Sequence, residues 1–331
     1  MYVIKEKPED FVVSEISSVV FKESGNFTIF KLRKMDIDTE RAVQILCQRL
    51  RVPRKNIGYA GLKDKKAVTS QFISVFKGKK SIETLEFDKF SLKFVGFSDK
   101  EIALGDLKEN VFEIVVRNLK EEDLEWFQKN EKKMEINNFF MPNFFGEQRF
   151  SKNNHEIGKL LVKKDFKGAV GLILNSGFKN NYEEKLSEFI KNNPNNYVGA
   201  LRLIPKKILS IFINAYQSRI FNKVLGLLSL KSVDSNLEIP LVGYGTDLEK
   251  ADQNLRNILE KERIVPRDFV FNQIPELSSF GALRKAFMKI DNFGAIVEED
   301  ELNKGRSKIT LTFSLPRGSY ATVVVKNLFT A

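Results

Sequence analysis

The run Gly58-Tyr59-Ala60-Gly61-Leu62-Lys63-Asp64-Lys65-Lys66-Ala67-Val68-Thr69-Ser70-Gln71 sets one acid among three lysines. On its N-terminal side, Asp38 is placed to cap a helix whose apolar residues Val43, Leu46 and Leu50 fall at i, i+3 and i+7, with Pro53 just past its end. On its C-terminal side, Gln71 to Phe76 has the β-branched and aromatic character of a strand. The small residues between them make a loop that joins helix to strand and carries Asp64. Neighbouring ammonium groups favour the ionised carboxylate and attract a polyanion. One segment can therefore hold a phosphate-bearing substrate and present a nucleophile or base to it. A KDKK string alone more often marks a solvated charged turn, so the rest of the chain has to decide.

Outward from this loop, residues 2 to 33 read as short strands: Phe11, Val13 and Ile16 nearly alternate, and Phe27 to Leu32 is rich in β-formers. Further strands are predicted at 71–76, 90–97 and 111–117, and a helix bearing Trp126 over 121–134. From about Ser151 to Leu230 the pattern is helical. The stretch Ile208 to Leu228 is apolar around so much of its circumference that it should be buried. Beta character returns at 285–290, 295–298 and 308–314. The simplest architecture is α+β: a sheet domain interrupted by a mainly helical insertion and completed by the C-terminal strands.

Composition narrows the chemistry. The 331 residues include one cysteine, Cys47, and one histidine, His155. A disulfide framework, a Cys/His zinc site and a multi-histidine metal centre are thereby excluded, and catalysis falls to carboxylate, lysine, tyrosine or serine. No continuous apolar run suits a signal peptide or a membrane span, so a cytoplasmic protein with no membrane partner is expected. A monomer is expected as well. Fifty-four Lys and Arg against 43 Asp and Glu give a net charge of +11, which favours an anionic partner, nucleic acid first. No glycine-rich loop opens a helix after a strand, which weighs against a dinucleotide enzyme or a methyltransferase.

Five blocks occur in order across nearly the whole chain: Pro8-Glu9-Asp10-Phe11-Val12-Val13-Ser14-Glu15, the Asp64 segment, Asn143-Phe144-Phe145-Gly146-Glu147-Gln148-Arg149-Phe150, Tyr216-Gln217-Ser218-Arg219-Ile220-Phe221-Asn222 and Leu315-Pro316-Arg317-Gly318-Ser319-Tyr320-Ala321-Thr322. Together they resemble the TruD family of tRNA pseudouridine synthases. Leu107 to Phe112 with Arg117, and Pro240 to Tyr244, add to the resemblance. Ser151 and Glu109 depart from it, standing where glycine is common in the family.

The resemblance implies a mixed, mostly antiparallel sheet flanked by helices, a discontinuous catalytic domain over 1–158 and 297–331, and an inserted TRUD domain over 159–296. It also implies Asp64 as the catalytic aspartate, Phe145 as the aromatic that stacks on the target uracil, Asn143 as the tie between this loop and the active site, and Lys5 as a basic position near the aspartate. Lys63, Lys65 and Lys66 are candidate phosphate contacts. Gln148 and Arg149 either bind phosphate or brace their loop. The Tyr216 to Asn222 block reads as packing with a polar edge. The implied substrate is uridine 13 of tRNA, and the implied isomerisation is redox-neutral, with no cofactor and no metal.

Overall fold

The computed structural model describes residues 2–176, 182–228 and 234–330. The chain forms two compact units, Met1–Met141 with Met288–Ala331, and Pro142–Phe287. The first unit opens with β1 (Val3–Ile4), β2 (Phe11–Ser17), β3 (Phe27–Met35), helix α1 (Thr39–Leu50), β4 (Ile57–Tyr59), β5 (Val68–Phe76), β6 (Phe90–Ser98), β7 (Leu107–Leu119) and α2 (Glu121–Ile136). The chain leaves this unit through β8 (Phe140–Pro142). The second unit holds α3 (Asn154–Val162), α4 (Phe166–Asn175), α5 (Tyr182–Asn192), α6 (Tyr197–Arg202), α7 (Lys206–Leu227), β9 (Glu238–Leu241), α8 (Gln253–Glu262) and β10 (Ala282–Lys285). Through β11 (Phe287–Lys289) the chain returns to finish the first unit with β12 (Asp291–Glu299), β13 (Ser307–Pro316) and α9 (Ala321–Leu328). Among the described residues no helix is long and apolar enough to cross a membrane.

The sheet of the first unit runs β12-β13-β7-β2-β5-β3-β6, with β1 beside β7 and β4 beside β5. Its β2 and β5 are parallel and the other pairs antiparallel. This is the expected mixed, mostly antiparallel sheet. The parallel pair decides which loops meet. Val12 faces Val68 and Ser14 faces Ser70, so β2 and β5 begin at the same end of the sheet. The segments that precede them, residues 5–10 and 60–67, are thereby brought together although the sequence separates them widely. The end of β7 joins them, because β1 pairs Val3 with Arg117 and Ile4 with Val116.

Helix α1 packs Val43 and Leu46 onto one face of this sheet, against Phe30, Leu32, Ile73 and Leu92, as its periodicity predicts. Asp38 occupies the N-cap position, but its carboxylate accepts no capping hydrogen bond; it faces the buried Lys34 instead. The left-handed Arg51 (φ 54°) closes the helix two residues before Pro53.

Several element boundaries differ from the sequence reading, and two of them bear on the loops that carry Asp64 and Asn143. Residues 57–59 form a strand against 73–75, which shortens the Asp64 loop to 60–67. Gly58 permits this strand, since a Cβ there would sit 2.4 Å from the Ile102 carbonyl oxygen. The β run at 285–290 is broken at Ala286 and Ile290, whose backbones bond Asn143 and Phe139. In the second unit, α7 buries residues on all sides, among them Phe212, Ile213, Ile220 and Phe221, as expected. Helix α3 lies so close to it that a Cβ on Gly158 would meet the Phe212 carbonyl oxygen at 2.0 Å. Within the predicted helical stretch, 177–181 and 229–230 lie outside the described residues.

Candidate active site

Asp64 lies where the starts of β2 and β5 converge. Its Oδ2 accepts a hydrogen bond from Lys5 Nζ at 2.5 Å, while the carboxylate keeps 37% of its surface open to solvent. Lys5 reaches it from a left-handed backbone conformation (φ 60°), which a non-glycine residue adopts at some cost and holds only where its surroundings fix it. Its ammonium also sits 4.0 Å above the Phe11 ring. Behind the loop, the buried Lys34 donates from Nζ to the Asp64 carbonyl oxygen at 2.7 Å. Burial pushes Lys34 down to about 8; Asp38 and Asp64 oppose the shift, and Lys63 adds to it.

The rest of the loop is pinned through buried polar side chains. Thr39 Oγ1 and Gln71 Oε1 are joined at 2.9 Å. Gln71 Nε2 donates to the Gly61 carbonyl at 2.9 Å, and Thr39 Oγ1 accepts from the Lys63 amide at 3.0 Å. Lys63 turns inward, its Nζ 2.7 Å from Glu15 and its side chain 8% exposed. The ammonium expected to meet phosphate is thus spent on a buried acid, whereas Lys65 and Lys66 are exposed. The difference is physical: Glu15 on β2 points inward at this point and would be an uncompensated buried charge without Lys63.

A second cluster lies in the second unit. Asn143 ties its loop to the segment after β10: its amide donates to the Ala286 carbonyl at 2.8 Å and its Nδ2 to the Lys285 carbonyl at 3.1 Å. Arg284 donates back to the Asn143 backbone oxygen and to Oδ1, at 3.1 and 2.6 Å. The Arg284 guanidinium lies 4.1 Å from the centroid of the Phe145 ring, and Phe221 meets that ring edge-on at 5.4 Å. Asn222 clamps Phe145 from both sides of its peptide, accepting from its amide at 2.9 Å and donating to its carbonyl at 3.0 Å. Arg149 donates to Ser218 Oγ at 3.1 Å and approaches the Phe145 ring at 5.5 Å. Gln148 is exposed.

The structure therefore brings Lys5 to Asp64 in one unit, and Asn143 and Arg149 to Phe145 in the other. Arg149 braces its loop here, one of the two roles open to it. The Tyr216 to Asn222 block packs as expected, but Asn222 and Ser218 on its polar edge fasten the Phe145 loop. Lys34, Thr39, Gln71 and Arg284 were not singled out by the sequence. Only Gln71 carried a signal, as a polar residue opening a predicted apolar strand.

A family model described as tRNA pseudouridine synthase D (TruD) matches residues 2–187, 178–236 and 228–328. The chain is similar to tRNA pseudouridine synthase D of Aquifex aeolicus (strain VF5), with 32% identity over 383 residues that cover 98% of this chain and 97% of that protein. Among solved structures it is similar to a crystal structure from Methanosarcina mazei described as tRNA pseudouridine synthase D, with a TM-score of 0.80 and 28% identity, covering 99% of this chain and 93% of that one. The matched segments run through both clusters and leave almost nothing of the chain outside them. This chain belongs to the TruD family of tRNA pseudouridine synthases.

Proposed function

We propose that the enzyme converts uridine 13 of tRNA to pseudouridine, with Asp64 as the catalytic carboxylate and Phe145 as the aromatic on which the extracted uracil stacks. The observation that carries this reading is the Asp64 carboxylate, ion-paired to Lys5 yet open to solvent in a chain of this family. The reaction breaks the N1–C1′ bond and forms a C5–C1′ bond. C5 loses a proton and N1 gains one, so no oxidant, reductant or co-reactant is needed. Asp64 either attacks C1′ or takes the C2′ proton to give a glycal, and both routes require the ionised carboxylate. Phe145 has no hydroxyl, so removal of the C5 proton falls to Asp64, water or the substrate itself.

Extraction of the base costs a few kcal/mol, and stacking on an aromatic returns about 1–3 kcal/mol. In this reading Lys65 and Lys66 meet phosphates, Asn143, Gln148 and Arg149 serve the Phe145 side, and Lys63 acts through Glu15. Residues 159–296, as the insertion, supply RNA selection to a catalytic domain of residues 1–158 and 297–331.

The test is conversion of unmodified host tRNA, mapped with a pseudouridine-selective carbodiimide. Uridine 13 is expected to react in folded tRNA, and a short oligonucleotide of the same local sequence to react at about a tenth of that rate or less, since shape recognition needs the folded corner. An untouched uridine 13 beside a converted uridine in ribosomal RNA overturns the substrate assignment and leaves the chemistry.

Lys34 gives the reading a pH signature. Loss of its proton near pH 8 removes the charge behind the Asp64 loop, so kcat/KM should fall as pH rises through about 8. Stability should move the other way. The folded value lies below the ordinary 10.5, so between the two the unfolded chain binds more protons and folding gains as pH rises. Lys34→Met should lose activity at neutral pH and lack this basic limb. Identical limbs in parent and variant would assign the titration to another group.

A further inference from the structure

We infer that Leu62 is an apolar wedge that enters the RNA base stack as the target uridine leaves it. The inference rests on the reading that this enzyme acts on an extracted uridine. Leu62 is 68% exposed and stands two residues before Asp64. Single exposed leucines are ordinary on protein surfaces, but this one is held out by its neighbours. The peptide before it is fixed by Gln71 Nε2 on the Gly61 carbonyl, and the peptide after it by Thr39 Oγ1 on the Lys63 amide. Thr39 and Gln71 are themselves buried and bonded to each other. The Leu62 backbone cannot withdraw without breaking this polar network, so the fold fixes where the residue stands at the surface.

The surroundings give this exposure a use. Lys65 and Lys66 are exposed on the same loop and suit a phosphate backbone, whereas an exposed aliphatic side chain on the other side of Asp64 in the sequence suits the faces of bases. A nucleotide turned out of its stack leaves a slot bounded by two apolar base faces. Aliphatic side chains inserted between base steps are an established way of holding such a slot open. A rigidly mounted leucine loses little conformational freedom on entering it.

The test separates unstacking from chemistry. A tRNA carrying 2-aminopurine next to the target uridine is titrated to saturation with Asp64→Asn protein and with the Leu62→Ala, Asp64→Asn double variant. The single variant is expected to raise the fluorescence as the base unstacks, and the double variant to give a fifth of that rise or less. In single turnover with Asp64 intact, Leu62→Ala should slow conversion at least tenfold on intact tRNA, and within threefold on tRNA with an abasic site beside the target, where no stack has to be opened. Leu62→Met should keep the parental rate on both.

An undiminished fluorescence rise in the double variant overturns the wedge and leaves the role of Asp64 intact. So does an equal loss of rate on both substrates, which identifies Leu62 as a support for the loop. Turnover by Asp64→Asn itself overturns the catalytic reading, and the fluorescence result then still decides the wedge.

Discussion

Asp64→Asn is expected to lower pseudouridine formation by roughly 10³-fold or more, which corresponds to about 4 kcal/mol of transition-state stabilisation, while tRNA affinity stays within about threefold of the parent. Asparagine matches the shape of aspartate but offers neither a nucleophilic nor a basic oxygen. The contacts that hold the loop do not involve the carboxylate: Lys34 bonds the backbone oxygen of residue 64, and Thr39 and Gln71 bond residues 61 and 63. The loop should therefore keep its course, and the partly exposed Lys5 pair contributes little to folding. Single-turnover assays and filter binding on one tRNA measure the two quantities. Residual turnover within tenfold of the parent removes Asp64 from the chemistry.

The second large effect concerns stability. Arg117 is buried and spends its guanidinium on three acids: Asp10 at 2.9–3.1 Å, Asp300 at 2.8 Å and Glu301 at 3.0 Å. Arg117→Met keeps the bulk and strands Asp10 and Asp300, both buried, without a counter-charge. Breaking a buried pair from one side costs about 3–5 kcal/mol, so the urea midpoint should fall by about 1 M or more. Replacing Asp10 and Asp300 by Asn in the same variant should recover part of the loss.

Acid adds a second readout. Burial of Asp300 opposes its ionisation, but the amides of Asn118 and Leu302, the Asn303 side chain and Arg117 together hold it below the ordinary carboxylate range. Its contribution to stability is therefore present above that range and lost as pH falls through the folded value. In Arg117→Met the stranded Asp300 carboxylate is relieved by protonation, so the gap between parent and variant should narrow on acidification. A gap independent of pH would assign the loss to packing alone. Activity should drop too, because Arg117 lies in β1's register on β7 and Lys5 follows β1 directly.

Much of this was legible in the sequence, for reasons that differ by element. Val43, Leu46 and Leu50 mark one face of a helix, and Phe27 to Leu32 marks a strand, because local periodicity is set by which side meets the core. The encirclement of α7 was legible in the same way. The parallel register of β2 on β5 was not: it pairs residues more than fifty positions apart, and no local pattern encodes it. The meeting of Lys5 with Asp64 follows from that register, so only the family resemblance pointed to it. Lys34 reads as a surface residue at the end of a strand, and its burial appears only when α1 and the Asp64 loop close over it. Lys63 shows the converse, a lysine in a basic run that folding turns toward a buried acid. Arg284 lies 139 positions beyond Phe145 in a stretch without a motif, and its place over that ring is a product of tertiary structure.

The route of the chain through the nine-stranded sheet also sets a timetable for synthesis. Asp300 follows Arg117 by 183 residues, a gap that takes roughly 10–40 s to translate at 5–20 residues per second. During that interval Arg117 has only Asp10 to pair with, and β7 lacks β13 along its outer edge. The segment Pro142–Phe287 is continuous and can complete its own packing first. The half-built sheet meanwhile presents a row of unpaired backbone donors and acceptors, the kind of edge onto which another nascent chain can dock. The ribosome-bound chain is thus at its most aggregation-prone late in translation, after the helices of the middle segment have formed and before the last two strands emerge.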